Sequence, residues 1–259
     1  MEVTSAVVCL LSLISLAAGF IDSIAGGGGL LTLPALLFAG VPAQYALGTN
    51  KFSGCIGTAT AVVNFARKKK VWWPLAALGL GFTFAGGALG SRAILLFDES
   101  AANKIILMML PFAALTLLWQ RKSTKAATQA PELKQVAAKA ILICFAVGFY
   151  DGFFGPGTGT FLALGFFSVM HLDLIRATAA AKVFNLASNT ASLAVFLFHG
   201  KVIFQVAIPM AIANMVGNYI GSHFAMRNGE RFIKQALAFV LALLFSSLAW
   251  KVVMGDGSA

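Results

Sequence analysis

Two carboxylates stand out in a chain that carries little charge. Asp22 lies in Gly19-Phe20-Ile21-Asp22-Ser23-Ile24-Ala25-Gly26-Gly27-Gly28-Gly29, and Asp151 lies in Gly148-Phe149-Tyr150-Asp151-Gly152-Phe153-Phe154-Gly155-Pro156-Gly157. Both stretches read G-F-x-D-x-x-x-G-x-G: an apolar run, one acid, then glycines that cannot continue a stable helix. In a membrane, a carboxylate beside broken backbone must be sheltered by protein or by a polar cavity. The chemistry such a break offers is anion binding. Glycine N–H groups form a nest, and the short segments that follow point their positive ends at the break. Glycines that only permit close packing are the alternative, and duplication beside an acid weighs against it.

Two lysines have the next claim. Lys51 and Lys182 each sit a few residues inside an apolar segment, deep enough to cost energy unless paired or facing water. They serve either as positive charges flanking a central anion, or as snorkelling or salt-bridged partners of Asp22 and Asp151; the sequence leaves both open. The acids are proton carriers, partners of the lysines, or caps on the short helices, and the structural roles are slightly favoured. Asn185 and Asn189 lie one turn apart on the face of Lys182, as a cavity lining would. Asn64, Ser188, Asn214 and Asn218 add polar stripes for which interhelical hydrogen bonding is the simpler role. His171, His199 and His223 are scattered without ligand spacing, so no metal site and no cofactor is expected. The glycine run lacks the G-K-[ST] ending of a phosphate-binding loop, and no nucleophile–base pair is visible.

The elements that must position these residues are membrane helices. Of the 259 residues 59% are hydrophobic and 11% charged, and the mean hydropathy is +0.87. A soluble domain carries roughly 25% charged residues, so the fold class expected is an all-α integral membrane protein. The net charge of +10 sits mostly in short runs between apolar segments, the pattern of cytoplasmic loops rather than of nucleic-acid binding. Cys9, Cys55 and Cys144 are far apart inside apolar stretches and read as packing residues. The first segment lacks the basic n-region of a signal peptide and reads as a retained helix.

Ten apolar segments follow in order: 4–24, 30–40, 47–66, 71–97, 104–119, 136–154, 158–170, 175–198, 202–226 and 232–253. About eight are full membrane helices, and the second and seventh are too short to cross a hydrocarbon core of about 30 Å. Residues 120–134 are polar and form a cytoplasmic linker between a first repeat, 1–119, and a second, 135–259. The halves match beyond the opening motif. Lys51 follows Asp22 by 29 residues and Lys182 follows Asp151 by 31; 39 residues after either lysine comes Gly90-Ser91 or Gly221-Ser222. Each closes a G-x-x-x-G-S, which lets helices approach closely. The loops, however, trade charge. Arg67-Lys68-Lys69-Lys70 corresponds to a weakly basic His199-Gly200-Lys201, and Asp98-Glu99 corresponds to the basic stretch 227–231. Five passages per half, inverted, with both termini outside, satisfy the positive-inside rule.

The repeated motif, Gly48-Thr49-Asn50-Lys51-Phe52 in the first half, and the lysine–asparagine stretch 182–189 in the second together resemble the TauE/SafE family of sulfite and organosulfur anion exporters. The resemblance covers nearly the whole chain. It implies a bacterial inner-membrane transporter of two related halves. The second half departs from the first, since Ala180-Ala181 replaces Thr49-Asn50 and Pro156 replaces Gly27. The expectation is a secondary transporter exporting a small anion, with the site between the glycine breaks. Gly26, Gly27, Gly28, Gly155, Gly157 and Thr158 would supply the breaks, Lys51 and Lys182 the charge, and Thr49, Asn50, Asn185 and Asn189 the orientation. The partners expected are the anion, the lipid bilayer and no nucleic acid; coupling to a proton or ion and a homo-oligomeric state stay open. An importer, an anion channel and a non-transporting membrane scaffold are the rivals, and an intramembrane enzyme is disfavoured.

Overall fold

A computed structural model describes residues 4–118 and 133–228, and every description below concerns those residues. All their regular elements are helices. They are α1 (Ser5–Ala25), α2 (Gly29–Phe38), α3 (Ala43–Arg67), α4 (Trp73–Leu95), α5 (Glu99–Leu118), α6 (Leu133–Phe153), α7 (Thr158–Met170), α8 (Leu174–Phe198) and α9 (204–228). The protein is an all-α membrane protein. Helices α1, α4, α6 and α8 are both long and apolar enough to cross a bilayer. The expected tenth segment, 232–253, and linker residues 120–132 lie outside the described residues.

Local sequence explains where the helices stop. Gly26 takes the left-handed conformation, φ +81°, and its N–H closes α1 on the Asp22 carbonyl. Gly155 and Gly157, at φ +96° and +86°, make the matching break between α6 and α7. The Asp173 side chain caps α8 by accepting from the Arg176 N–H. Helix α2 has 10 residues and α7 has 13. At 1.5 Å per residue they span about 15 and 20 Å, so neither crosses alone. Each instead forms a hairpin with the long helix before it.

The two halves hold each other through exchanged glycine seams. Gly86 and Gly90 of α4 lie so close to α6 that a Cβ on either would strike the Phe145 or Phe149 carbonyl. Gly217 and Gly221 of α9 meet the Leu16 and Phe20 carbonyls of α1 in the same way. Each G-x-x-x-G-S therefore grips the opening helix of the other half, and without hydrophobic force between helices in lipid this packing carries the association. Two apolar cores form at opposite ends of α3. One includes Ala61, Phe65, Phe166 and Phe184; the other includes Ala43, Leu47, Leu33 and Phe196. The polar middle of α3 lies between them.

Loops gather at two faces. At one, Gln44 donates to the Phe97 carbonyl, the Asn103 side chain accepts from the Ala43 N–H, and Lys201 lies 3.4 Å from Glu99. At the other, Lys68 and Lys70 after α3 share a pocket with Arg227 near the end of α9.

Candidate anion-binding site

The hairpins meet tip to tip. A Cβ at Gly26 would overlap the Gly159 and Thr160 backbone, and a Cβ at Gly159 would come within 2.6 Å of the Gly26 Cα. The Thr160 hydroxyl donates to the Ala25 carbonyl across this contact. Small residues are required here by space as well as by φ.

Around the tips the two lysines and two acids pair across the halves. Lys51 Nζ of α3 lies 2.8 Å from Asp151 Oδ2 of α6, and Lys182 Nζ of α8 lies 2.7 Å from Asp22 Oδ2 of α1. All four side chains are deeply buried. Unpaired charges at this depth would be prohibitive, so the pairs account for why four ionisable groups persist in an apolar bundle. Each lysine thus reaches the acid of the opposite half.

A cavity of about 40 Å³ opens beside the tips, lined from both halves. By this measure one water needs about 10–15 Å³, so the space suits a few atoms. Of the residues singled out from sequence, Asp22, Gly26, Gly28, Asn50, Lys51, Asp151, Gly155, Thr158, Asn185 and Asn189 line it. Four do not. Thr49 turns away, its hydroxyl accepting from the Ile203 N–H. Lys182 stands behind Asp22, fully buried. Gly27 forms the turn into α2, where its carbonyl accepts from the Leu30 N–H. Gly157 sets the left-handed start of α7.

Five further lining residues, Gly29, Thr32, Gly54, Thr58 and Gly159, were not singled out from sequence. Gly54 and Thr58 were within reach, because they follow Lys51 by three and seven residues on one helical face. Asn214 also lines the cavity, but its amide is engaged. It donates to the Ser15 carbonyl and accepts from Asn218. Asn64 likewise donates to the Ser222 hydroxyl. Both fit the interhelical role.

The lining carries the Asp22 and Asp151 carboxylates, each paired with a lysine, and amide groups beside them. Thr32 donates to Asn50 Oδ1 and Asn189 donates to Asn185 Oδ1, which occupies the amide oxygens of Asn50 and Asn185. Among the described residues nothing accepts from the Asn50 or Asn185 NH₂ groups. The Gly28 N–H reaches Asp22 Oδ1 at 3.3 Å. One ammonium, two unclaimed amide NH₂ groups and two glycine breaks are suited to hold a small anion. No group of three or more metal-ligating side chains occurs among the described residues.

The sequence profile described as "Sulfite exporter TauE/SafE" matches residues 11–248. The chain belongs to the TauE/SafE family. It is 36% identical to the probable membrane transporter protein ORF9 of Sinorhizobium sp., over 90% of this chain and 88% of that one. It is 34% identical to the probable membrane transporter protein YfcA of Escherichia coli K12, over 93% and 89%. A probable membrane transporter protein of Haemophilus influenzae is also 34% identical, over 96% and 97%. No solved structure matches the chain. As a TauE/SafE member it is a multi-pass membrane transporter and not an enzyme. The family resemblance read from the sequence was correct, and the acids of the repeated motif and its Gly26, Gly28 and Gly155 line the cavity beside the tips.

Proposed function

We propose that this TauE/SafE protein is a secondary transporter that exports a small anion, sulfite or an organosulfonate, across the inner membrane of a bacterium. The observation that carries the reading is the cavity where the two glycine breaks, Lys51 and the Asn50 and Asn185 amides converge. Its volume of about 40 Å³ favours a compact oxyanion such as sulfite over a longer sulfonate. The anion binds at Lys51 by taking the place of the Asp151 carboxylate, while Asn50 and Asn185 donate to its oxygens. A proton on Asp151 would keep that exchange neutral, since the two ion pairs together carry no net charge. Lys182 and Asp22 tie α8 to the first hairpin rather than contact the anion.

Alternating access follows from two inverted repeats moving against each other about the tips. The loop placement supports inversion. The Lys201–Glu99 contact puts the α4–α5 and α8–α9 loops at one face. The shared pocket of Lys68, Lys70 and Arg227 puts the matching basic loops at the other. That is the charge distribution the positive-inside rule demands of a cytoplasmic face.

The test is anion flux in proteoliposomes, offering sulfite, thiosulfate, sulfoacetate and chloride with and without a pH gradient. Sulfite flux that responds to the gradient is expected. Downhill flux of every anion, indifferent to pH, would make the protein a channel; uptake-only flux would make it an importer. No flux of any anion from folded protein would leave a scaffold.

A further inference from the structure

A second, larger cavity of about 530 Å³ shares no residue with the central site. Its lining is Lys68, Lys70, His223, Phe224, Met226 and Arg227. Three formal positive charges converge here, from the α3–α4 loop and from α9. No described carboxylate forms an ion pair with any of them, whereas Arg176, Lys201 and both central lysines each have one. A cationic cavity with no anion of its own calls for one from outside.

Two further observations say what kind. The first is depth. Trp72 and Trp73 follow Lys70 after one residue, Val71, and Trp73 is exposed, which is how an aromatic belt marks the membrane–water interface. The second is the apolar stripe that leads into the cavity. Ile208, Ile212, Met215 and Tyr219 are all exposed and recur every three to four residues, so they share one face of α9. The same spacing continues to His223 and Arg227 at the cavity. Positive charge at interface depth, joined to an apolar track of about three turns, matches one molecule with a negatively charged head and a long chain.

We propose that this cavity binds the headgroup of an anionic phospholipid, with the acyl chain laid along the exposed face of α9. Lys68, Lys70 and Arg227 contact the phosphate, and Phe224 and Met226 pack against the glycerol end. A soluble phosphate would use the charges but not the stripe. The site lies where the α3–α4 loop meets α9, so an occupied site links the two halves on the face that carries the basic loops.

The experiment is native mass spectrometry of the full chain in detergent, titrated with phosphatidylglycerol or phosphatidylcholine. Wild type is expected to retain phosphatidylglycerol in preference by tenfold or more. Each cation near the surface contributes enough that Lys68→Gln/Lys70→Gln/Arg227→Gln lowers phosphatidylglycerol affinity on the order of 100-fold. Arg227→Gln alone, at an exposed position, lowers it several-fold, and phosphatidylcholine, whose choline offsets the phosphate charge, loses less in both variants. Lys68→Arg/Lys70→Arg retains binding, and Ile212→Glu/Met215→Glu weakens the lipid with the cations intact. Equal phosphatidylglycerol affinity in the triple variant would overturn the proposal. Displacement of the lipid by millimolar inorganic phosphate, or no effect of the stripe variant, would overturn the lipid assignment.

Discussion

The two buried ion pairs share a sequence motif and a topology but not an environment. Asp22 is held twice, by Lys182 at 2.7 Å and by the Gly28 N–H at 3.3 Å, and its lysine is sealed from the cavity. Asp151 is held once. Lys51 lies 2.8 Å from its Oδ2, an atom that makes no hydrogen bond of good geometry, and this lysine lines the cavity. The Nζ of Lys51 is also the nearest atom to a Cβ built on Gly155, at 3.1 Å. One pair is therefore braced by a break and the other is poised over one. A duplicated motif gives each half a charge pair, and only one of the two ammonium groups lines the cavity.

The tips are the part of the molecule most sensitive to substitution. Gly26→Ala puts a Cβ into the Gly159 backbone at a φ of +81°, and no flexible side chain is there to yield. It is expected to abolish recovery of folded protein, as judged by size-exclusion in detergent. Gly29→Ala, whose Cβ would meet nothing closer than 3.4 Å, is expected to fold normally. Equal yields of the two variants would mean that the tips do not touch as described.

Removing one lysine from each pair ranks next. Breaking a buried pair costs about 3–5 kcal/mol because it strands the other charge. Lys182→Ala should fall toward the lower end, since the Gly28 N–H still serves Asp22. Lys51→Ala should fall toward the upper end. Adding Asp22→Asn or Asp151→Asn to the matching variant should restore most of the loss in thermal melting. Failure of the second substitution to restore stability would show that charge pairing is not the reason for the lysines.

Smaller effects sharpen the division between the halves. Asn185→Leu removes a donor facing the cavity and leaves the fold in place. A hydrogen bond to a charged group contributes about 1.5–3 kcal/mol, so the anion's apparent affinity should fall by about 10- to 100-fold. Thr49→Val, outside the cavity, loses one bond to the Ile203 N–H. It should cost about 1 kcal/mol of stability and leave flux unchanged.

Much of this arrangement was legible in the sequence because it was written twice. The repeated G-F-x-D-x-x-x-G-x-G located both breaks, and the seventh segment was bounded as the structure has it, Thr158–Met170. The start of α3 was placed late, at residue 47 instead of Ala43, which leaves out Gln44. It is buried inside the helix and spends its amide on the Phe97 carbonyl. Thr49 shows a different limit. Its position beside Asn50 and Lys51 suggested a common site, yet neighbours on a helix diverge by about 100° and the Thr49 hydroxyl faces Ile203 in the α8–α9 loop. The crossed partners of the lysines could not be read either. Sequence order offered Asp22 to Lys51 as readily as Asp151, and only the interlocked hairpins decide between them. Gly159 carried no signal at all, since its requirement comes from the Gly26 backbone 133 residues away.

The central claim is that Lys51, and not Lys182, provides the counter-charge for the transported anion. The direct test replaces each pair whole, so that no buried charge is stranded. Sulfite flux in proteoliposomes would be compared among wild type, Lys51→Met/Asp151→Leu and Lys182→Met/Asp22→Leu. Flux abolished in the first variant and retained to at least about a tenth in the second, a loss within one broken hydrogen bond to Gly28, is the predicted result. Undiminished flux without Lys51, or equal loss in both variants, would contradict the account.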